Sequence, residues 1–186
     1  MIIGITGRSG AGKSYLSEIL ANKLDLIHID IDKISHEVLT FETTKKFLLK
    51  EFGSEIFENN SVNRKLLGKI VFSNHEKLDM LNRFCQVEME RKIDEIINNS
   101  NKSIILDYAL LCGLKQFKNC DIKILLCADI NIRYSRAKIK ENITKEYFIS
   151  RDASLSDFDK SKFDFVYENI SEDEIELLVQ TIKSKL

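Results

Sequence analysis

At 186 residues the chain is long enough for one domain, 1–186, with a real core and a small insertion. Lys plus Arg number 28 against 29 for Asp plus Glu, a formal charge of −1, so neither nucleic acid as a partner nor an acidic disordered tail is indicated. No apolar run reaches the roughly 18 residues of a membrane-spanning helix, and the expectation is a cytoplasmic protein without membrane contact, a monomer or weak homo-oligomer.

The apolar start, Ile2 to Thr6, runs straight into a glycine-rich loop, so it reads as a buried strand and not as a signal peptide. That loop, "GITGRSGAGKSYL", sets Gly7, Gly12, Lys13 and Ser14 in the pattern G-x-x-x-x-G-K-[ST]. A helix should follow, with Leu16, Ile19, Leu20 and Leu24 on one stripe. A second strand, Leu26 to Asp30, runs into "HIDIDKISHEV". From Phe41 to Ser100 no strand-like run is visible, and several helices are expected. Three more short apolar runs, Ser103 to Asp107, Ile122 to Cys127 and Phe163 to Tyr167, suit buried parallel strands. Between the last two lies a basic run of Arg133, Arg136, Lys138, Lys140, Lys145 and Arg151. Ser171 with Glu174 predicts a capping box for a final helix whose apolar face is Ile175, Leu178, Val179 and Ile182.

Strands alternating with helices around a glycine loop predict an α/β fold. It is a doubly wound parallel sheet of about five strands, of the P-loop NTPase type. The helical stretch, about residues 41–100, would be an insertion over one end of the sheet, and the basic run, about 131–155, a lid. Cys85, Cys112, Cys120 and Cys127 lack C-x-x-C spacing and are expected to be buried, reduced thiols. His28, His36 and His75 carry no metal-ligand spacing; His28 is expected in the sheet and His75 on an exposed turn.

The loop's chemistry follows from its spacing. Its glycines let backbone N–H groups turn inward around phosphate oxygens, and the next helix presents its positive end to them. Gly7, Arg8, Ser9, Gly10, Ala11, Gly12, Lys13, Ser14 and Tyr15 are therefore the candidate ATP-binding residues, with Lys13 reaching the β- and γ-phosphates and Ser14 holding Mg²⁺. Asp107 closes an apolar strand in the manner of the acidic partner of such a metal site. Asp30 and Asp32 fall where strand ends meet a ligand crevice. They could divide metal ordering from proton acceptance, or simply cap a helix. Arg136, and then Lys140, are the lid cations expected over the triphosphate, against the alternative of a solvated helix face.

These motifs together resemble the dephospho-coenzyme A kinase family over nearly the whole chain. "IDIDKISHEV" matches the family's Asp-x-Asp strand end and helix, "EFGSEIF" its Phe-Gly, and "NRKLLGKIVFSNHEKLDMLN" its Asn/Asp-Arg-x-x-Leu…Val-Phe…Leu-Asn run. "LDYALL" stands where the family has Asp-x-Pro-Leu-Leu, and "FDFVYEN" where it has Ala-Asp-x-Val-x-x-Asn. The resemblance implies transfer of the ATP γ-phosphate to the ribose 3′-hydroxyl of dephospho-CoA. It maps the base onto Asp32 and the lid arginines onto Arg136, with Lys140 and Arg151 less directly. Departures fall on the acceptor side: His36 replaces an Arg, Gln86 and Val87 a His-Pro, Ala109 a Pro and Gly113 a Glu. They leave two alternatives open: another small-molecule kinase of this fold, acting on a nucleoside or nucleotide, or a nucleotide-binding module without catalysis.

Overall fold

A computed structural model describes residues 1–153 and 157–186; the side chains of Phe72, Lys140, Glu141 and Arg151 lie outside that description, as do the last two residues of the expected lid. In chain order the elements are β1 (Ile2–Gly7), α1 (Lys13–Leu24), β2 (Ile27–Asp30), α2 (Ile31–Glu37), α3 (Glu42–Phe52), β3 (Phe57–Glu58), β4 (Ser61–Val62), α4 (Arg64–Phe72) and α5 (His75–Asn98). There follow β5 (Ile104–Asp107), β6 (Ile122–Cys127), α6 (Ile130–Glu141), α7 (Lys145–Ala153), β7 (Phe165–Glu168) and α8 (Glu172–Lys183). They fall into two compact units, one of Met1–Asp30 with Ser100–Leu186 and one of Ile31–Asn99.

The first unit holds a five-stranded sheet in the order β2-β5-β1-β6-β7, every pairing parallel. Parallel strands need both faces covered, which is why these segments read as apolar runs rather than alternations. Ile3, Ile5, Ile105, Ile122, Ile124 and Leu126 form one core with Leu16 and Leu20 of α1 and Ile175, Leu178, Val179 and Ile182 of α8. Ile19 and Leu24 pack partly buried against it, so the expected stripe of α1 is the buried one. The capping box is present: Ser171 accepts from the Glu174 N–H while the Glu174 carboxylate takes the Ser171 N–H.

Strand β7 starts two residues later than expected and ends one residue later. Phe163 packs against the Phe117 ring at 5.5 Å, and the Asp164 carboxylate accepts the Lys123 N–H at 2.7 Å, so both act before the strand begins. The thiols are all free, but only Cys120 is buried. Cys112 is exposed, and Cys85 and Cys127 are intermediate, which corrects the expectation of four buried thiols.

The second unit is mainly helical, around Leu48, Phe52, Ile56, Leu67, Val71 and Leu81. Phe47 and Phe84 stack at 3.9 Å between α3 and α5. It also contains what its sequence concealed, the two-stranded antiparallel hairpin β3–β4. Asn59 and Asn60, at φ 49° and 62°, make the two-residue left-handed turn that hairpins favour. Two-residue strands are too short to register as periodicity. His75 is exposed as expected but opens α5, behind the Asn74 cap, instead of sitting on a turn.

Candidate active site

The phosphate-type loop occupies residues 7–12, between the carboxyl end of β1 and the start of α1. Gly7 and Gly10, at φ +151° and +79°, are forced by more than conformation. A Cβ on Gly7 would stand 2.3 Å from the Leu126 carbonyl of β6, and one on Gly10 would stand 2.2 Å from the Arg133 carbonyl of α6. The loop therefore lies directly against β6 and α6. Ala11 N–H bonds back to the Arg8 carbonyl at 3.1 Å, which closes the turn. Helix α1 starts without a side-chain cap and without an acidic residue in its first turn, so no carboxylate of its own first turn competes for its N-terminal N–H groups. Lys13 is buried, with Nζ 3.5 Å from the Arg8 carbonyl. Ser14 is half-buried and Tyr15 exposed.

Asp30 and Asp107 are register partners, the last residues of adjacent strands, and Asp107 is also paired with Ile5 of β1. Three neighbouring strands thus bring two carboxylates and the loop to one edge of the sheet. Asp107 is only 2% exposed, and His28 Nε2 lies 3.3 Å from its Oδ2. The buried Thr6 hydroxyl donates to the Tyr108 carbonyl at 2.8 Å and to that of Ala109 at 3.2 Å, pinning the backbone that leaves Asp107. Asp32 is exposed in the first turn of α2, two residues beyond β2.

Arg136 reaches back to the loop: its Nη1 bonds the Gly10 carbonyl at 3.3 Å and stands 3.9 Å from where a Gly12 Cβ would be. Its Nη2 donates to Asn169 Oδ1 at 2.9 Å. Asn169, just past β7 at φ 55°, is itself tied by its N–H to the Cys127 carbonyl. The Lys140 and Arg151 side chains fall outside the described residues. The Arg8 guanidinium turns toward α7, where it meets Asp152, and toward Asp157. Arg133 departs from the expected solvated face: it is buried and binds the Asp152 carboxylate through both Nη atoms, at 2.6 and 2.9 Å.

Around the candidate site, sequence reasoning assigned no role to His28, Thr6, Arg133, Asp152 or Asn169. Three of them were named there, His28 as a sheet residue, Arg133 in the basic run and Asn169 as the last residue of the "FDFVYEN" run. Of the departures that the resemblance places on the acceptor side, His36 and Gln86 are exposed in the helical unit. Arg64 donates to the His36 carbonyl at 2.6 Å, and Gln86 bonds Glu90 within α5. Gly113 is exposed and Ala109 half-buried, both just after β5.

The family model for dephospho-CoA kinase matches residues 1–172. The chain belongs to the dephospho-CoA kinase family. The enzyme of that name from Borreliella burgdorferi is 35% identical over 138 residues, covering 73% of this chain and 66% of that one. The one from Fusobacterium nucleatum is 32% identical over 148 residues, covering 78% of this chain and 76% of that one. The solved dephospho-CoA kinase from Campylobacter jejuni superposes with a TM-score of 0.70 at 24% identity, covering 100% of this chain and 98% of that one, which establishes the shared α/β fold. As a member of that family the chain is a transferase, using ATP to phosphorylate dephospho-CoA, a small-molecule substrate. Among the described residues no helix is long and apolar enough to cross a membrane.

Proposed function

We propose that the phosphate passes from ATP to the ribose 3′-hydroxyl of dephospho-CoA, with Lys13 at the transferring group and Asp32 as the base. The reading rests on one observation above the others. The loop, Asp30 and Asp107 share the carboxyl edge of three adjacent strands, where ligands of such sheets bind.

In this reading the triphosphate lies on the loop N–H groups and the open end of α1, with the Lys13 ammonium at the β- and γ-phosphates. Arg136, fixed by Asn169 and the Gly10 carbonyl, supplies a second cation over the loop. Phosphoryl transfer has little covalent chemistry for a protein to perform, so these fixed charges carry most of the rate. The donor set also fits Mg²⁺. Among the described residues no cluster of three acidic, His or Cys ligands occurs, but magnesium needs only one or two protein oxygens beside phosphates and waters. The Ser14 hydroxyl and the buried Asp107 carboxylate would hold it, with Asp30 at its waters. Bound there, it would neutralise charge developing on the phosphate oxygens. Asp32 accepts the proton of the attacking 3′-hydroxyl.

The direct test is ATP-dependent formation of coenzyme A from dephospho-CoA. Lys13→Ala should lower its rate by about 10²-fold or more, the loss expected for a charge that stabilises the transferring group. Turnover of Lys13→Ala at the wild-type rate would refute the assignment. Phosphorylation of nucleosides but not of dephospho-CoA would refute the acceptor.

A further inference from the structure

The pattern G-x-x-x-x-G-K-[ST] asks nothing of position 8, yet the chain places an arginine there and builds a partner for it. Arg8 Nη1 donates to the Asp152 main-chain carbonyl and lies 3.4 Å from its Oδ2, while Nη2 meets the fully exposed Asp157 at 2.9 Å. Arg133 holds the same Asp152 carboxylate with two hydrogen bonds. It also donates to the Ser9 carbonyl at 3.4 Å and to the Ala128 carbonyl at 3.0 Å. Its guanidinium lies 5.6 Å from the centre of the Phe148 ring, which is 1% exposed. One carboxylate of α7 thus joins two arginines, one in the loop and one in α6, and all three side chains are at most 19% exposed.

Charges withdrawn from water this far seldom stabilise a protein more than apolar packing would, so what such a triad contributes is position. What it positions is Arg8, Ser9 and Gly10, the part of the loop already pressed against the Arg133 backbone. A loop held in its binding shape before the ligand arrives spares the ligand the cost of ordering it.

We infer that Asp152 is a positioning residue for nucleotide binding: by gripping Arg8 and Arg133 it holds the 8–10 turn of the loop and helix α7 in one arrangement. The inference rests on reading residues 7–14 as the nucleotide loop. ADP affinity, measured by calorimetry, and amide hydrogen exchange of the nucleotide-free protein test it in wild type, Asp152→Asn, Arg8→Gln, the double variant and Lys13→Ala. Asp152→Asn should weaken ADP about tenfold, the size of one charge-assisted hydrogen bond. It should speed exchange at residues 8–12 and in α7 but not in α8, which a general loss of stability would also loosen. Arg8→Gln, the milder change should Asp152→Asn fold poorly, should weaken ADP in the same direction. The double variant should bind no more weakly than Asp152→Asn, because both remove one device. Unchanged or tighter ADP binding in both single variants overturns the inference; tighter binding would mean that Asp152 withholds the arginines from phosphate. Fully additive losses overturn it too. Normal ADP affinity in Lys13→Ala would overturn the loop reading itself, and this inference with it.

Discussion

Two aspartates two residues apart divide the proposed chemistry, and they sit in different surroundings. Asp30 is the register partner of the buried Asp107, while Asp32 is exposed in the first turn of α2. Asp32→Asn keeps the shape and removes the proton acceptor, so kcat should fall by about 10²–10⁴-fold with the KM for ATP nearly unchanged. Asp30→Asn should cost less and be partly restored by added Mg²⁺. Steady-state kinetics across a magnesium series separates the two, and the reverse ranking would exchange their roles. The thiols offer a second check at this scale. Burial pushes the Cys120 thiol up to about 12 and that of Cys85 up to about 11. In the native protein at pH 8 an alkylating reagent should label exposed Cys112 first and leave Cys120 unlabelled until denaturation, as peptide mapping would record. The candidates Lys13, Ser14 and Asp107 could be named from sequence because the chemistry proposed for them fixes a local spacing. His28, Arg133 and Asn169 could be given no role, because their partners Asp107, Ser9 and Arg136 lie far off in sequence and meet them only through the sheet and its crossovers.

Among the elements, those whose signal is local were readable before the fold was known. The capping box of α8 is written in four residues, and Ser171→Ala should cost about 1 kcal/mol in urea denaturation. The glycine loop was readable as a motif, but not the reason for Gly10, since nothing nearby in sequence reveals the Arg133 carbonyl 2.2 Å from its missing Cβ. Gly10→Ala should therefore displace the loop from α6 and weaken ADP binding; an unaltered affinity would show that the close approach is dispensable. Helix α7 carries a pH dependence as well. The hydrogen bonds from Arg133, and then the charges of Arg133 and Arg8, hold the Asp152 carboxyl below its ordinary 3.8 despite its burial. A depressed carboxylate contributes its full stability above the unfolded value and loses it as pH falls through the folded one. Protection of α7 amides should thus hold from neutral pH down to about 4 and fall below it, and Asp152→Asn should remove that acid-side step. The hairpin β3–β4 escaped the sequence reading because its only local mark is the Asn59-Asn60 turn.

Across the whole molecule, sequence conveyed the parallel sheet well because buried parallel strands are nearly pure apolar runs. The division into units was less evident. The helical unit begins at Ile31, directly after β2, some ten residues earlier than composition suggested. His36 and Gln86, the departures that the family resemblance places on the acceptor side, lie in that unit and the phosphate loop in the other. Changes at position 36 should therefore act on acceptor affinity alone. His36→Arg should lower the KM for dephospho-CoA while leaving that for ATP unchanged, by a hydrogen bond worth about 1.5–3 kcal/mol at most. The central claim is that this chain, with Lys13 and Asp32, moves phosphate onto dephospho-CoA. Its most direct test is a chromatographic time course of wild type and Asp32→Asn with ATP, Mg²⁺ and dephospho-CoA. Wild type should yield coenzyme A and ADP in equal amounts, and Asp32→Asn should yield both at least about 10²-fold more slowly. ADP without coenzyme A, or equal rates in the two proteins, would contradict it.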